Sequence, residues 1–210
     1  MVYKDRIEAA NLLATKLEAY NDKNAIILAI PRGGVPIGYV VANQLHLPLE
    51  VVLSKKIGHP LHKEFAIGAV TLKSQVLSSA ADQVSKSYID AETKKIRALL
   101  TKRYQNLYGK KAPLELKDKI LIIVDDGIAT GNTIISTIEM LHKEQPKKIV
   151  VAVPVSSQSA LQKLQNTPFV DKVICLNSPS DFRSVSQFYE NFDQVDDAEV
   201  ISLLNKIEAA

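Results

Sequence analysis

The run Ile120-Leu121-Ile122-Ile123-Val124 constrains this chain more than any other segment. Five consecutive apolar residues leave no polar side, so a strand there must be buried on both faces. Parallel sheets covered by helices meet that condition, and half-solvated hairpins do not. Comparable runs stand at 25–30, 49–53, 148–153 and 172–176. Segments with helical character, 35–45, 133–142 and 157–164, separate them. This alternation predicts an α/β fold, a parallel twisted sheet with helices on both faces.

Other segments fill in the frame. Ile7, Ala10, Leu13, Ala14 and Leu17 predict a helix over about 3–20. Residues 65–72 and 75–77 read as β-like, with Ser54-Lys55-Lys56 as the end of the strand over 49–53. A charged helix is expected over 87–107, with Ile89, Ile96, Leu99, Leu100 and Leu107 as its apolar stripe. From Asn177 the rhythm breaks into a polar stretch carrying Phe182, Tyr189 and Phe192, followed by a helix near 197–207. With 210 residues and 46% hydrophobic content, the chain supports one sizeable core and at most a small appended subdomain.

Charge and cysteine content exclude several classes. The net charge is +3 and no Lys/Arg block stands apart from the intervening acids, so no nucleic-acid partner is expected. Cys175 is the only cysteine, which rules out an intramolecular disulfide, and its apolar neighbours predict a small buried hydrophobe. No apolar run approaches the ~20 residues that span a bilayer, and the N-terminus lacks a signal-peptide apolar region. The expectation is a cytoplasmic protein with no membrane partner.

The chemistry concentrates after the apolar run, in Asp125-Asp126-Gly127-Ile128-Ala129-Thr130-Gly131-Asn132-Thr133. A buried parallel strand delivers two carboxylates to its C-terminal end, where α/β sheets place ligands. Gly127 and Gly131 permit tight turns, so successive N–H groups can face one anion at the start of the next helix. Thr130 and Thr133 add hydroxyl donors. Two carboxylates repel a phosphate but suit neutral hydroxyls such as a ribose diol. A ribose 5-phosphate unit satisfies both halves. No Gly-Lys-Ser/Thr follows the glycines, so this is not a Walker loop, and it is not the G-x-G-x-x-G dinucleotide fingerprint either.

This segment resembles the phosphoribosyl pyrophosphate (PRPP) signature of type I phosphoribosyltransferases. That signature is a hydrophobic run, two acids, and a loop ending Thr-Gly-x-Thr. The resemblance implies that Asp125 and Asp126 hold the ribose hydroxyls and that the loop 127–133 grips the 5′-phosphate. It implies one domain over 1–210, with a hood subdomain from 177–210 and part of the N-terminal region. Pro31-Arg32-Gly33-Gly34 is similar to the family's pyrophosphate loop, where a non-proline cis peptide is common, the matching link here being Arg32 followed by Gly33. Arg32, Gly33, Lys55 and Lys56 would then hold pyrophosphate, with Arg32, Lys56, Asp125 and Asp126 as the catalytic set. A mobile flap is expected between Ile57 and Val76, with His59 and His62 as loop residues lacking a chemical task.

The hood would recognise the acceptor, through Phe182, Arg183 and Tyr189. PRPP would bind as a Mg²⁺ complex, with no protein residue expected as a direct ligand, and a homodimer is among the expected assemblies. Enzymes acting on 6-oxopurines carry an acid where this chain has Ala129, which disfavours that acceptor class. The motifs 31–36, 64–70 and Phe188-Tyr189-x-x-Phe192 also resemble a bacterial phosphoribosyltransferase group without an assigned acceptor. Three functions stay open at this point: a phosphoribosyltransferase, a PRPP- or nucleotide-sensing regulator of the same fold, and an unrelated nucleotide-binding α/β protein.

Overall fold

The computed structural model describes residues 1–208. Ala209 and Ala210, the last residues of the expected hood, lie outside the described residues. Five parallel strands form the main sheet: β1 (Ala25–Ala29), β2 (Leu49–Val51), β6 (Ile120–Val124), β7 (Lys148–Val155) and β8 (Lys172–Asn177). Their order is β2-β1-β6-β7-β8, so the chain builds outward in both directions from β1 and β6. A switch of direction of this kind opens a crevice at the strands' C-terminal ends.

Alternate residues along each strand feed two separate cores, as a sheet buried on both sides demands. Ile27, Ala29, Ile122, Val124 and Val150 pack with α1 (Arg6–Leu17) and α2 (Gly34–Leu45) on one face. Ile26, Leu28, Leu121, Ile123 and Val151 pack with α4 (Asn132–His142) and α5 (Gln158–Gln165) on the other. The expected α/β layering is therefore present.

The pairing register positions the site. Ala29 lies opposite both Val124 and Val51, so β1, β2 and β6 end at one level. The loops after β1 and β6 consequently leave the sheet side by side. The Ile30 amide donates to the Val124 carbonyl at 2.9 Å and extends that alignment one step past β1.

Three expectations need correction. Ser54-Lys55-Lys56 does not end the second main-sheet strand. It opens β3 (Ser54–Gly58), which pairs antiparallel with β4 (Ala66–Thr71), and β4 pairs with β5 (Gln75–Leu77). This second sheet occupies the expected flap region. The first helix starts at Arg6 because the Asp5 side chain accepts the Glu8 amide, and Ile7 faces solvent. In α3 (Lys86–Tyr108), Leu99 is 50% exposed, while Tyr104 completes the buried stripe with Ile89, Ile96, Leu100 and Leu107.

The terminal regions meet. Tyr3 is fully buried and its backbone bridges to Tyr189. The C-terminal segment thus closes over the N-terminus, with α6 (Asp197–Glu208) packed on α2 and α3.

Candidate active site

Asp125 and Asp126 leave β6 at the common rim. The Asp126 amide donates to Asp125 Oδ1 at 2.9 Å. Burial pushes the Asp125 carboxyl well above its usual range, and the neighbouring Asp126 charge adds to that. Burial also raises Asp126, against the pull of Arg6. Arg6 donates from Nε to Asp126 Oδ2 at 2.9 Å, and its Nη2 lies 2.9 Å from the same oxygen. Its Nη1 donates to the Asp193 carbonyl at 2.8 Å, and the guanidinium lies 3.9 Å over the Phe192 ring. One side chain therefore ties the second acid to the C-terminal segment.

Tyr189 adds a second tie. Its hydroxyl donates to the Asp126 carbonyl at 2.6 Å, and burial raises its pKa. Tyr3 packs beside it, with ring centroids 5.5 Å apart, donates to the Pro154 carbonyl at 2.9 Å, and has its pKa pushed up to about 12 by burial.

The loop after β6 presents donors. Ser157 Oγ donates to the Ala129 carbonyl at 2.6 Å, and Lys163 donates to the Thr130 carbonyl at 3.3 Å. These bonds draw the loop's acceptors toward α5. Among the described residues the amides of Ala129, Thr130, Gly131, Asn132 and Thr133 donate to no protein acceptor. Gly131 has φ +78° at the N-cap of α4, a left-handed geometry that favours glycine. Free amides, the exposed Thr130 and Thr133 and a helix N-terminus together make an anion cradle.

The loop after β1 abuts the acids. A Cβ on Gly33 would lie 1.9 Å from Asp126 Oδ2, so any side chain there collides with the carboxylate. The cis peptide bond lies between Pro31 and Arg32, one residue before the expected Arg32–Gly33 link. Arg32 donates to the Val195 carbonyl at 3.3 Å, and its Nε lies 3.3 Å from Asp197 Oδ1. A cavity of about 610 Å³ holds Arg6, Arg32, Gly33, Arg103, Asp126 and Phe192 on its walls.

The fold brings some expected residues together and separates others. Arg32 and Gly33 share the cavity with Asp126. Lys56 instead borders a second cavity of about 610 Å³ with Asn132 and Thr133, and it pairs with Glu64 at 2.7 Å. Lys55 lines a groove along α3 with Lys95 and Lys102, to which Arg32 does not contribute. Tyr189 is engaged with Asp126, and Phe182 stacks on Phe188 with centroids 5.6 Å apart. Arg183 is exposed, and the wall nearest Asp126 comes from 192–195. Sequence reasoning missed Arg6 and Arg103. The only signal for Arg6 was a cation facing the solvated side of a terminal helix, which is commonplace.

The phosphoribosyl transferase domain model matches residues 3–193. The chain belongs to that phosphoribosyltransferase family. It is 34% identical to TT1426 from Thermus thermophilus, with a TM-score of 0.84 over 98% of this chain and 99% of that one. It is 32% identical, over 98% of its length, to proteins named as phosphoribosyl transferases in two Mycobacterium tuberculosis strains. The alignment covers 47% of each, so the chain spans about half the length of the curated relatives it matches. A Neisseria gonorrhoeae protein solved with bound ppGpp shares the fold at TM-score 0.52 and 16% identity. Among the described residues no helix is long and apolar enough to cross a membrane.

Proposed function

We propose that the chain transfers the 5-phosphoribosyl group of PRPP to a nitrogenous acceptor and releases pyrophosphate. The observation that carries this reading is the abutment of three elements on one rim. The free-amide loop suits the 5′-phosphate, the paired acids suit the ribose diol, and the 31–34 loop meets Asp126 through Gly33.

Mg²⁺ is compatible with the site. Among the described residues no group of three His, Cys, Asp or Glu could hold a metal. Magnesium commonly keeps several waters and takes substrate phosphates, so it could sit against bound PRPP with no direct protein ligand, Asp125 and Asp126 acting through the ribose hydroxyls. When bound with the pyrophosphate it would neutralise charge on the leaving group.

The chain's own residues account for the rest. Asp125 and Asp126 orient the sugar through its hydroxyls. Arg6 holds Asp126 Oδ2 and balances its charge. Breaking the C1–O bond to pyrophosphate builds positive charge on the ribose and negative charge on the departing oxygen. Arg32 lines the cavity beside Asp126, and Lys56 lines the separate cavity beside Asn132 and Thr133. Catalysis is then positioning plus charge neutralisation. The acceptor enters against Phe192 and the backbone of 193–195.

The test is calorimetry with ribose 5-phosphate on the wild type and on Asp125→Asn/Asp126→Asn, beside a screen of nucleobases and small amines for pyrophosphate release. Loss of binding in a folded double variant supports the reading, and undiminished binding refutes it.

A further inference from the structure

We propose that Arg103 is the second guanidinium that grips the pyrophosphate group and that Asp197 stands in for that group until it arrives. This rests on the reading above that the 31–34 loop is the pyrophosphate side of the site.

Arg32 Nε lies 3.3 Å and Arg103 Nη2 lies 3.6 Å from the same atom, Asp197 Oδ1. Two guanidinium groups from distant segments thus converge on one anionic oxygen. An oxygen of pyrophosphate would make the same demand. Both arginines are wall residues of the cavity that holds Gly33 and Asp126. Their side chains are 41% and 40% exposed, so an entering ligand reaches them without unfolding anything.

Charge balance explains the role of the acid. Arg6 pairs with Asp126, and Arg32 and Arg103 both pair with Asp197, so Asp197 offsets part of the positive charge that these two arginines bring to the rim. Arg6 is committed to Asp126 by bonds at 2.9 Å, whereas the Asp197 contacts are longer and its side chain is 61% exposed. Part-exposed ion pairs of that kind are weak and readily exchanged. A multiply charged pyrophosphate outcompetes one carboxylate, and Asp197 swings to solvent. Arg32 and Arg103 then face the leaving group with no internal acid between them.

Their placement on separate elements adds a consequence. Arg32 sits on the loop after β1, Arg103 on α3 and Asp197 in the first turn of α6. Pyrophosphate would replace Asp197 as the charged link between the β1 loop and α3, while α6 stays packed on α2 and α3.

The experiment is calorimetric titration of inorganic pyrophosphate with Mg²⁺, and separately of ribose 5-phosphate, into the wild type, Arg103→Ala, Arg103→Lys and Asp197→Asn. Arg103→Ala is expected to weaken pyrophosphate about tenfold or more while ribose 5-phosphate is unchanged. Arg103→Lys recovers part of the loss, because it keeps the charge and loses the planar fork. Asp197→Asn tightens pyrophosphate by up to about fivefold, the ceiling for a part-exposed ion pair. A merely structural latch would move Arg103→Ala and Asp197→Asn in the same direction, and that result overturns the proposal. So does an unchanged pyrophosphate affinity in Arg103→Ala. A wild type that takes ribose 5-phosphate but no pyrophosphate overturns this inference alone. One that takes neither overturns the proposed function with it.

Discussion

The two halves of the candidate site are built in opposite ways. The candidate anion cradle is a single contiguous stretch, 125–133, two of whose carbonyls are drawn aside by Ser157 and Lys163. The opposite rim is assembled from Arg6, the 31–34 loop, Arg103 and the segment 192–197, which only folding brings together. A contiguous cradle owes its shape to local backbone geometry. An assembled rim owes its shape to side-chain ties between elements, so it is more easily broken by one substitution.

Arg6→Ala should show the largest effect on the assembled half. It leaves the largely buried Asp126 without its partner and frees the Phe192 segment, and breaking a buried pair costs roughly 3 kcal/mol. Thermal melting should register the loss, and Arg6→Lys should restore only part of it, since one ammonium cannot reproduce three guanidinium contacts. Full stability in Arg6→Ala would mean that the C-terminal segment closes without this tie.

Gly33→Ala comes next and probes the seam between the halves. Its Cβ displaces the Asp126 carboxylate that Arg6 holds, at a cost of about 1–3 kcal/mol. Ribose 5-phosphate affinity should fall with it in calorimetry. A variant that binds normally would show that the two loops adjust independently.

Asp125→Asn carries a pH signature. Both acids hold protons more tightly in the fold than in the unfolded chain, so their contribution favours folding in acid and is lost as pH rises through the raised values. At neutral pH the ligand-free Asp125→Asn variant should melt higher, by about 2–4 °C for each kcal/mol relieved. The gain should vanish below the ordinary carboxylate value of 3.8. A gain that persists there would assign it to packing.

The smallest effect is expected at Lys56→Ala. Its partner Glu64 is 97% exposed, and burial of neither group adds to the pairing that lowers the Glu64 pKa. Melting should be unchanged within about a degree, while turnover with PRPP should fall, because Lys56 lines the cavity beside Asn132 and Thr133. Unchanged turnover would confine the chemistry to the rim around Asp126.

Much of the molecule was legible from residue order. Ile120–Val124, unbroken and apolar, required burial on both faces, and that required helices above and below. The acids, glycines and threonines at 125–133 exposed the cradle, because backbone direction over nine residues follows from local sterics. Lys55 and Lys56 were misplaced as a strand end because a short second sheet announces itself only through its partner strands. Tyr189 was expected to face an acceptor, yet a buried hydroxyl must find a local partner, and it found the Asp126 carbonyl.

The sequence by itself determined the layered sheet and the turn geometry of the 125–133 loop, since both depend on near neighbours and on periodic burial. Only the tertiary structure decided that Arg6 backs Asp126 and that Arg32 and Arg103 converge on Asp197. Charged side chains on solvated helix faces look alike along the chain. Their meaning arises when distant elements set opposite charges within hydrogen-bonding reach, and that distance is a property of packing alone.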